Sequence, residues 1–278
     1  MEKKKVTIPQ FKEMKQQGKK IKMVTAYDYL LASVIDKSPI ESILVGDSLG
    51  MVVLGYDSTV SVTMADMLHH VKPVVKGAPN TLIIADMPFG SYNVSISEAI
   101  ANANRMMKEG GADCVKLEGG ATVVETVRAI VNAGIPVVAH IGLTPQTVSQ
   151  LGGFKVQGKD AAAALKLLED GQKLEEAGAF AIVIECVPAP VAKLLTEKLS
   201  IPVIGIGAGA DCDGQVLVAQ DMLGMFDRFV PKFVKQYANL NGIIVDALQK
   251  YADEVDGGVF PGEEHSFAMK EEVLSKLY

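Results

Sequence analysis

The chain has 278 residues, 49% of them hydrophobic and 22% charged, a composition that buries a large core and a length typical of one α/β barrel. A net charge of −6, a 6% aromatic share and the absence of Trp argue against a nucleic-acid partner. Cys114, Cys186 and Cys212 form no CxxC pair, which argues against a zinc knuckle or a disulfide framework.

The N-terminal "MEKKKVTIPQ" is basic but has no apolar stretch behind it, and no uncharged apolar run reaches the ~18 residues of a membrane helix. A cytoplasmic protein with no membrane partner is expected. A short amphipathic helix over 9–17, closed by Gly18, comes first. Apolar runs of strand length follow at 21–25, 43–45, 81–85, 114–117, 136–139, 181–184 and 202–206, with an eighth strand placed within "QVLVAQDMLG", 215–224. Helical stretches lie between them, among them "TMADMLHHVKPVVKG", "SEAIANANRMMKEG" and "AAAALKLLEDGQKLEEAG", several ending in Gly. Ser95 and Glu98 have the spacing of a capping box. His69 and His70 fall inside a helical pattern, away from any strand end, and read as surface or packing residues. The tail "DEVDGGVFPGEEHSF" reads as an irregular extension.

Alternating strands and helices mean a parallel sheet with helical crossovers, and seven or eight units in this length favour a closed (β/α)8 TIM barrel. The first strand runs into Ala26-Tyr27-Asp28 rather than GxGxxG, which weakens a dinucleotide-binding reading. A single domain over 1–278, with an N-terminal helix, is expected.

Ionisable residues stand where the apolar runs stop. Asp47 and Ser48 follow the second strand, Asp86 the third, Lys116 and Glu118 the fourth, His140 the fifth and Glu185 the sixth. The C-terminal strand ends of a barrel meet on one face, so five consecutive units deliver polar groups to one mouth. Singly, Asp47 or Asp86 reads equally well as a loop residue, Lys116 as a snorkelling one, and His140 as a satisfied core histidine. Glu185 has little polar company in sequence, with Val187 and Pro188 close behind it. Carboxylates gathered out of water need a cation or a shared proton. Oxygen ligands with few soft ones specify Mg²⁺, with Asp47 and Asp86 as ligands and Glu118 as a third, direct or through water. "GIGAGADCDGQ" reads as an anion cradle or a tight turn, and the long "GLTPQTVSQLGGFKVQGKD" as a lid.

At these residues the sequence resembles the ketopantoate hydroxymethyltransferase family. The likeness runs in order from "TAYDY" and "LVGDSLGMVVLGYDSTVSVT" through "IADMPFGSY", "VKLEGG", "HIGLTPQ", "GGFKVQGK", "ECVP" and "IPVIGIGAG" to "PGEEHSF". It implies a (β/α)8 barrel in a homodecamer, with Mg²⁺ as cofactor and 5,10-methylenetetrahydrofolate and 3-methyl-2-oxobutanoate as substrates. By motif, Asp47, Asp86 and Glu118 fall on the family's metal-associated carboxylates. Asp47, Ser48, Asp86 and Lys116 fall on its substrate-binding positions, and Glu185 on its proton acceptor. Such a base works near neutral pH only if its pKa is raised, which an apolar strand end would do. A lyase or mutase of the phosphoenolpyruvate/isocitrate lyase type would share the barrel, but the K-x-C-G-H kind of loop motif is absent. A non-catalytic small-molecule binding barrel is the third reading, and it would have no need of a base beside a metal.

Overall fold

The apolar runs become eight parallel strands in the computed structural model, which describes residues 3–278. The strands are β1 (Ile21–Thr25), β2 (Ser42–Val45), β3 (Leu82–Asp86), β4 (Cys114–Glu118), β5 (Val137–Gly142), β6 (Ala181–Glu185), β7 (Val203–Ile206) and β8 (Gly214–Leu217). They pair in sequence order, and β8 closes on β1 with Ile21 opposite Gly214 and Val24 opposite Leu217. The (β/α)8 expectation is thus met.

Helices cross over between most strands: α1 (Ile8–Gln16) precedes β1, and α2 (Tyr29–Asp36), α3 (Leu49–Val52), α4 (Met64–Gly77), α5 (Ile96–Arg105) and α6 (Val124–Asn132) follow. Next come α7 (Val148–Leu151), α8 (Ala161–Glu176), α9 (Ala189–Lys198), α10 (Ala219–Met222), α11 (Leu240–Asp256) and α12 (Glu271–Leu274). Local chemistry starts them. Thr63 and Asp66 form a reciprocal capping box on α4, and Asp160 accepts the Ala163 N–H at the start of α8. On α5 only half of the expected box forms, because Ser95 accepts the Glu98 N–H and no return bond from Glu98 is present among the described residues.

The sequence points to one domain; the contacts gather into two compact units. The first holds the barrel up to Gln220 together with Pro231–Val234, and the second comprises Asp221–Val230 and Lys235–Tyr278. In the second unit α11 takes in the first residues of what reads as an irregular tail. Asn239 caps it by accepting the Gly242 N–H.

Two further differences have plain causes. The eighth strand stops at Leu217, since Ala219 begins a helical turn, so only the first part of 215–224 is strand. No helix stands between β7 and β8; the chain returns through 207–213, with Gly207 and Gly209 at φ +63° and +88°. A side chain at either would strike its neighbour, since an added Cβ would lie 2.8 Å from the Phe233 ring or 2.4 Å from Ala189 Cβ.

Side chains alternate across each strand, so every second residue faces the barrel axis. Leu82, Ile84 and Asp86 share one face of β3, Cys114, Lys116 and Glu118 one face of β4, and Ala181, Val183 and Glu185 one face of β6. The apolar members of each set join one buried cluster with Met23, Val138 and Ile204. Phe11 of α1 belongs to the same cluster, fully buried beside the first residues of the strands. It stacks edge-on against Phe180 with centroids 5.9 Å apart, and so closes the N-terminal end of the barrel. The other end carries the charges.

Candidate active site

The inward faces of β3 to β6 change character along their length, from apolar at the bottom to ionisable at the top. Asp86, Lys116, Glu118, His140 and Glu185 are therefore not loop residues beyond the strands but members of them. Asp47 stands two residues past the end of β2 and donates its main-chain N–H to Asp86 Oδ2 at 3.1 Å. Except for Glu185, these side chains are almost fully buried.

Lys116 is the hub. Its Nζ lies 2.8 Å from Asp86 Oδ1, 3.1 Å from His140 Nδ1 and 3.9 Å from Glu118 Oε1. His140 then bridges two carboxylates, with Nδ1 3.3 Å from Glu118 Oε1 and Nε2 3.2 Å from Glu185 Oε2. Ser48, expected among the substrate-binding groups, shares a 2.7 Å hydrogen bond with the buried Tyr27 hydroxyl. The structure brings all six expected site residues to one end of the barrel, together with His140 from the fifth strand end.

Burial shapes the protonation of each group, and neighbours correct it. Asp47 is pushed well above the usual carboxylate range by burial and by Glu118 and Asp86 beside it. Burial also raises Asp86, although Lys116 opposes it. Glu118 goes the other way, because His140 and Lys116 outweigh its burial. Burial and the Lys116 ammonium pull His140 down, but Glu118 and Glu185 win and raise it to about 9. Lys116, despite its burial, is held above its ordinary value by Asp86, Glu118 and Asp47.

Glu185 differs from the expectation of an isolated base in an apolar pocket. Its side chain keeps 16% exposure, and its polar company comes from His140 on the adjacent strand, which linear sequence could not show. Its main chain is pinned as well: Glu185 O accepts the Leu143 N–H at 2.8 Å. A Cβ at Gly142 (φ +94°) would lie 2.3 Å from that oxygen, so only glycine lets β5 come so close. Cys186, next in the chain, is the one non-glycine residue with positive φ among the described residues, at +48°.

Four carboxylates, Asp47, Asp86, Glu118 and Glu185, face the Lys116 ammonium and the His140 imidazole. With all of them ionised the cluster carries two negative charges in excess, the charge of one divalent cation. Asp86 Oδ1 is buried with the Lys116 ammonium 2.8 Å away, and every carboxylate offers hard oxygen. Among the described residues no three His, Cys, Asp or Glu side chains form a ready-made metal cage. The donor set therefore fits Mg²⁺ held by one or two carboxylates and completed by substrate oxygens and water.

Sequence reasoning passed over Gln146 and Tyr92, which are also buried here. The signal was the polar Gln closing "HIGLTPQ", just beyond a strand end. His70 accepts the bland reading made of it, with Nδ1 2.7 Å from Tyr27 O.

The family model for ketopantoate hydroxymethyltransferase matches residues 5–263. The chain belongs to the ketopantoate hydroxymethyltransferase family. Curated relatives named 3-methyl-2-oxobutanoate hydroxymethyltransferase include one from Heliobacterium modesticaldum, 67% identical over 97% of this chain and 98% of that one. Others come from Moorella thermoacetica, 61% identical over 94% and 97%, and Clostridium novyi, 60% identical over 98% and 99%. Among solved structures, phosphonopyruvate hydrolase in complex with oxalate and Mg²⁺ aligns with a TM-score of 0.61 at 13% identity, over 98% of this chain and 95% of that one. A 2,3-dimethylmalate lyase aligns at 0.56 and 16%, over 97% and 94%. At such identity these two show that the barrel fold is shared, and only that.

Proposed function

We propose that this chain is a 3-methyl-2-oxobutanoate hydroxymethyltransferase. It moves a hydroxymethyl group from 5,10-methylenetetrahydrofolate to 3-methyl-2-oxobutanoate and yields 2-dehydropantoate, a step of pantothenate synthesis. The observation that carries this reading, beside family membership, is the gathering of four carboxylates at the mouth of the barrel with only Lys116 and His140 to compensate them.

Asp47 and Asp86 would hold Mg²⁺, with Glu118 reaching it directly or through water. When bound, the ion supplies electrophilic stabilisation of negative charge on the keto oxygen. Lys116 and Ser48 orient the oxo acid, and the Lys116 ammonium faces the oxygen where charge develops. Glu185 accepts the C3 proton, and the C3 carbanion equivalent then forms a carbon–carbon bond to the one-carbon unit, whose two bonds to folate nitrogens break; water supplies the hydroxyl oxygen and tetrahydrofolate leaves. His140 holds the Glu185 carboxylate at the strand end. The same reading places the chain in the cytoplasm; among the described residues no helix is long and apolar enough to cross a membrane.

The discriminating experiment is exchange of the C3 proton of 3-methyl-2-oxobutanoate into deuterated water, without folate. Exchange that requires Mg²⁺ is expected, followed by 2-dehydropantoate formation once methylenetetrahydrofolate is added. No exchange at any Mg²⁺ concentration, or exchange without product formation, would overturn the assignment.

A further inference from the structure

Gln146 makes more hydrogen bonds at the mouth than the residues assigned above explain. It sits on the single-turn helix Pro145–Thr147 beyond β5 and is 3% exposed. Its side-chain Nε2 lies 2.8 Å from Asp47 Oδ2 and 3.0 Å from Met87 O. The Met87 carbonyl can only accept, so the atom facing it is the nitrogen and the orientation of the carboxamide follows. Its Oε1 receives the Tyr92 O–H at 2.5 Å, and its main-chain N–H donates to Glu118 Oε2 at 3.0 Å. One residue thus grips a carboxylate beyond β2, another at the end of β4 and the main chain just after Asp86.

We propose that Gln146 is a positioning residue for a divalent cation: it holds Asp47 and Glu118 in fixed orientations, and Tyr92 fixes the direction of its carboxamide. The inference rests on the reading of those carboxylates as the Mg²⁺ site. A carboxamide suits this task where a cation would not. It ties down one oxygen of Asp47 and leaves the other free, and it adds no positive charge to compete with the ion. Lys116, by contrast, spends its charge on Asp86. A buried amide kept only for packing would be expected to bond main-chain groups alone; besides Met87 O, Gln146 directs one bond from its side chain and one from its main chain at carboxyl oxygens. Partners that orient metal-ligating carboxylates are worth about 10- to 100-fold in metal affinity.

The test uses the full chain and reads cation binding itself. Mg²⁺ is titrated calorimetrically and Mn²⁺ by electron paramagnetic resonance into wild type, Gln146→Leu and Tyr92→Phe. Gln146→Leu deletes the carboxamide and keeps the main-chain bond to Glu118. Its Kd for the cation should rise about 10- to 100-fold, with a smaller rise in Tyr92→Phe. The Mg²⁺ concentration giving half-maximal C3 proton exchange should shift by the same factor. If wild type binds the cation and Gln146→Leu binds it equally well, even with a lowered melting temperature, Gln146 is structural and this inference alone falls. If Gln146→Leu does not fold, unchanged cation affinity in Tyr92→Phe overturns it. If wild type takes up neither ion, the Mg²⁺ reading itself fails and takes this inference with it.

Discussion

Glu185 and Asp86 lie in one charge network but do different work, and substitution separates them. Glu185 meets His140 at 3.2 Å and is the only one of the four carboxylates with appreciable exposure, a position suited to taking up and releasing a proton. Glu185→Gln keeps the size and a hydrogen-bonding contact to His140 but cannot accept the C3 proton. Binding of 3-methyl-2-oxobutanoate with Mg²⁺ should stay near wild type, while exchange falls by roughly two to four orders of magnitude, the usual worth of a general base. Exchange at close to the wild-type rate would place the base elsewhere, His140 being the nearest candidate. Asp86 instead meets the Lys116 ammonium and the Asp47 main chain. Asp86→Ala should therefore lose Mg²⁺ binding and exchange together with the barrel still folded. Calorimetry showing wild-type Mg²⁺ affinity in that variant would remove Asp86 from the metal site.

At the scale of elements, the segment between β5 and α8 leaves the mouth at Gln146 and carries two glycines in left-handed conformations, Gly152 at φ +69° and Gly153 at +108°. Phe154 and Val156 just beyond them are half exposed, although apolar. Bound oxo acid gives such side chains something to cover, so amide exchange over 149–156 should slow when substrate and Mg²⁺ are added together. Equal exchange rates with and without ligand would make this a static loop. The segment was legible as long and glycine-bearing, but its short turns at Pro145–Thr147 and α7 were not, because neither spans enough residues for a period to show. The strands were legible because their apolar runs are buried on both faces. Their ends were harder to place: an ionisable residue reads as the end of a strand, whereas Asp86, Glu118, His140 and Glu185 still belong to theirs. Periodicity also overlooked α11, although Ile244, Leu248, Tyr251 and Val255 recur on one helical face. Residue types at strand ends announced the carboxylates and Lys116. Nothing local announced the pairing of His140 with Glu185 or of Gln146 with Asp47, since those contacts exist only once the sheet has closed.

At the scale of the whole molecule, α11 has no buried residue, and the apolar face just named lies open with Leu248 61% and Tyr251 56% exposed. We propose that a second copy of the chain covers this face, in keeping with the homodecamer that the family resemblance implies. Wild type should sediment as a large oligomer and Leu248→Glu as a smaller species; a wild-type monomer would refute this. The barrel itself separates stability from chemistry along its axis. Phe11 and the first residues of the strands form an apolar plug at the N-terminal end, while the ionisable groups stand at the other. Lys15 ties α1 to this end through Asp213 at 2.8 Å, and Asp213 also accepts the Val203 N–H at 2.9 Å. Phe11→Ala removes a fully buried ring from a close-packed cluster and leaves a cavity there, which should cost about 3–5 kcal/mol of unfolding free energy. No charge at the mouth touches that cavity. Mg²⁺-dependent C3 proton exchange, measured well below the melting temperature, should stay within about two-fold of wild type, since the inward-facing layers of side chains between the ends form a packed core rather than a channel. Denaturant unfolding and the exchange assay on one preparation check both halves. A large loss of exchange in a folded Phe11→Ala protein would show that the plug and the active site are mechanically coupled through the barrel core.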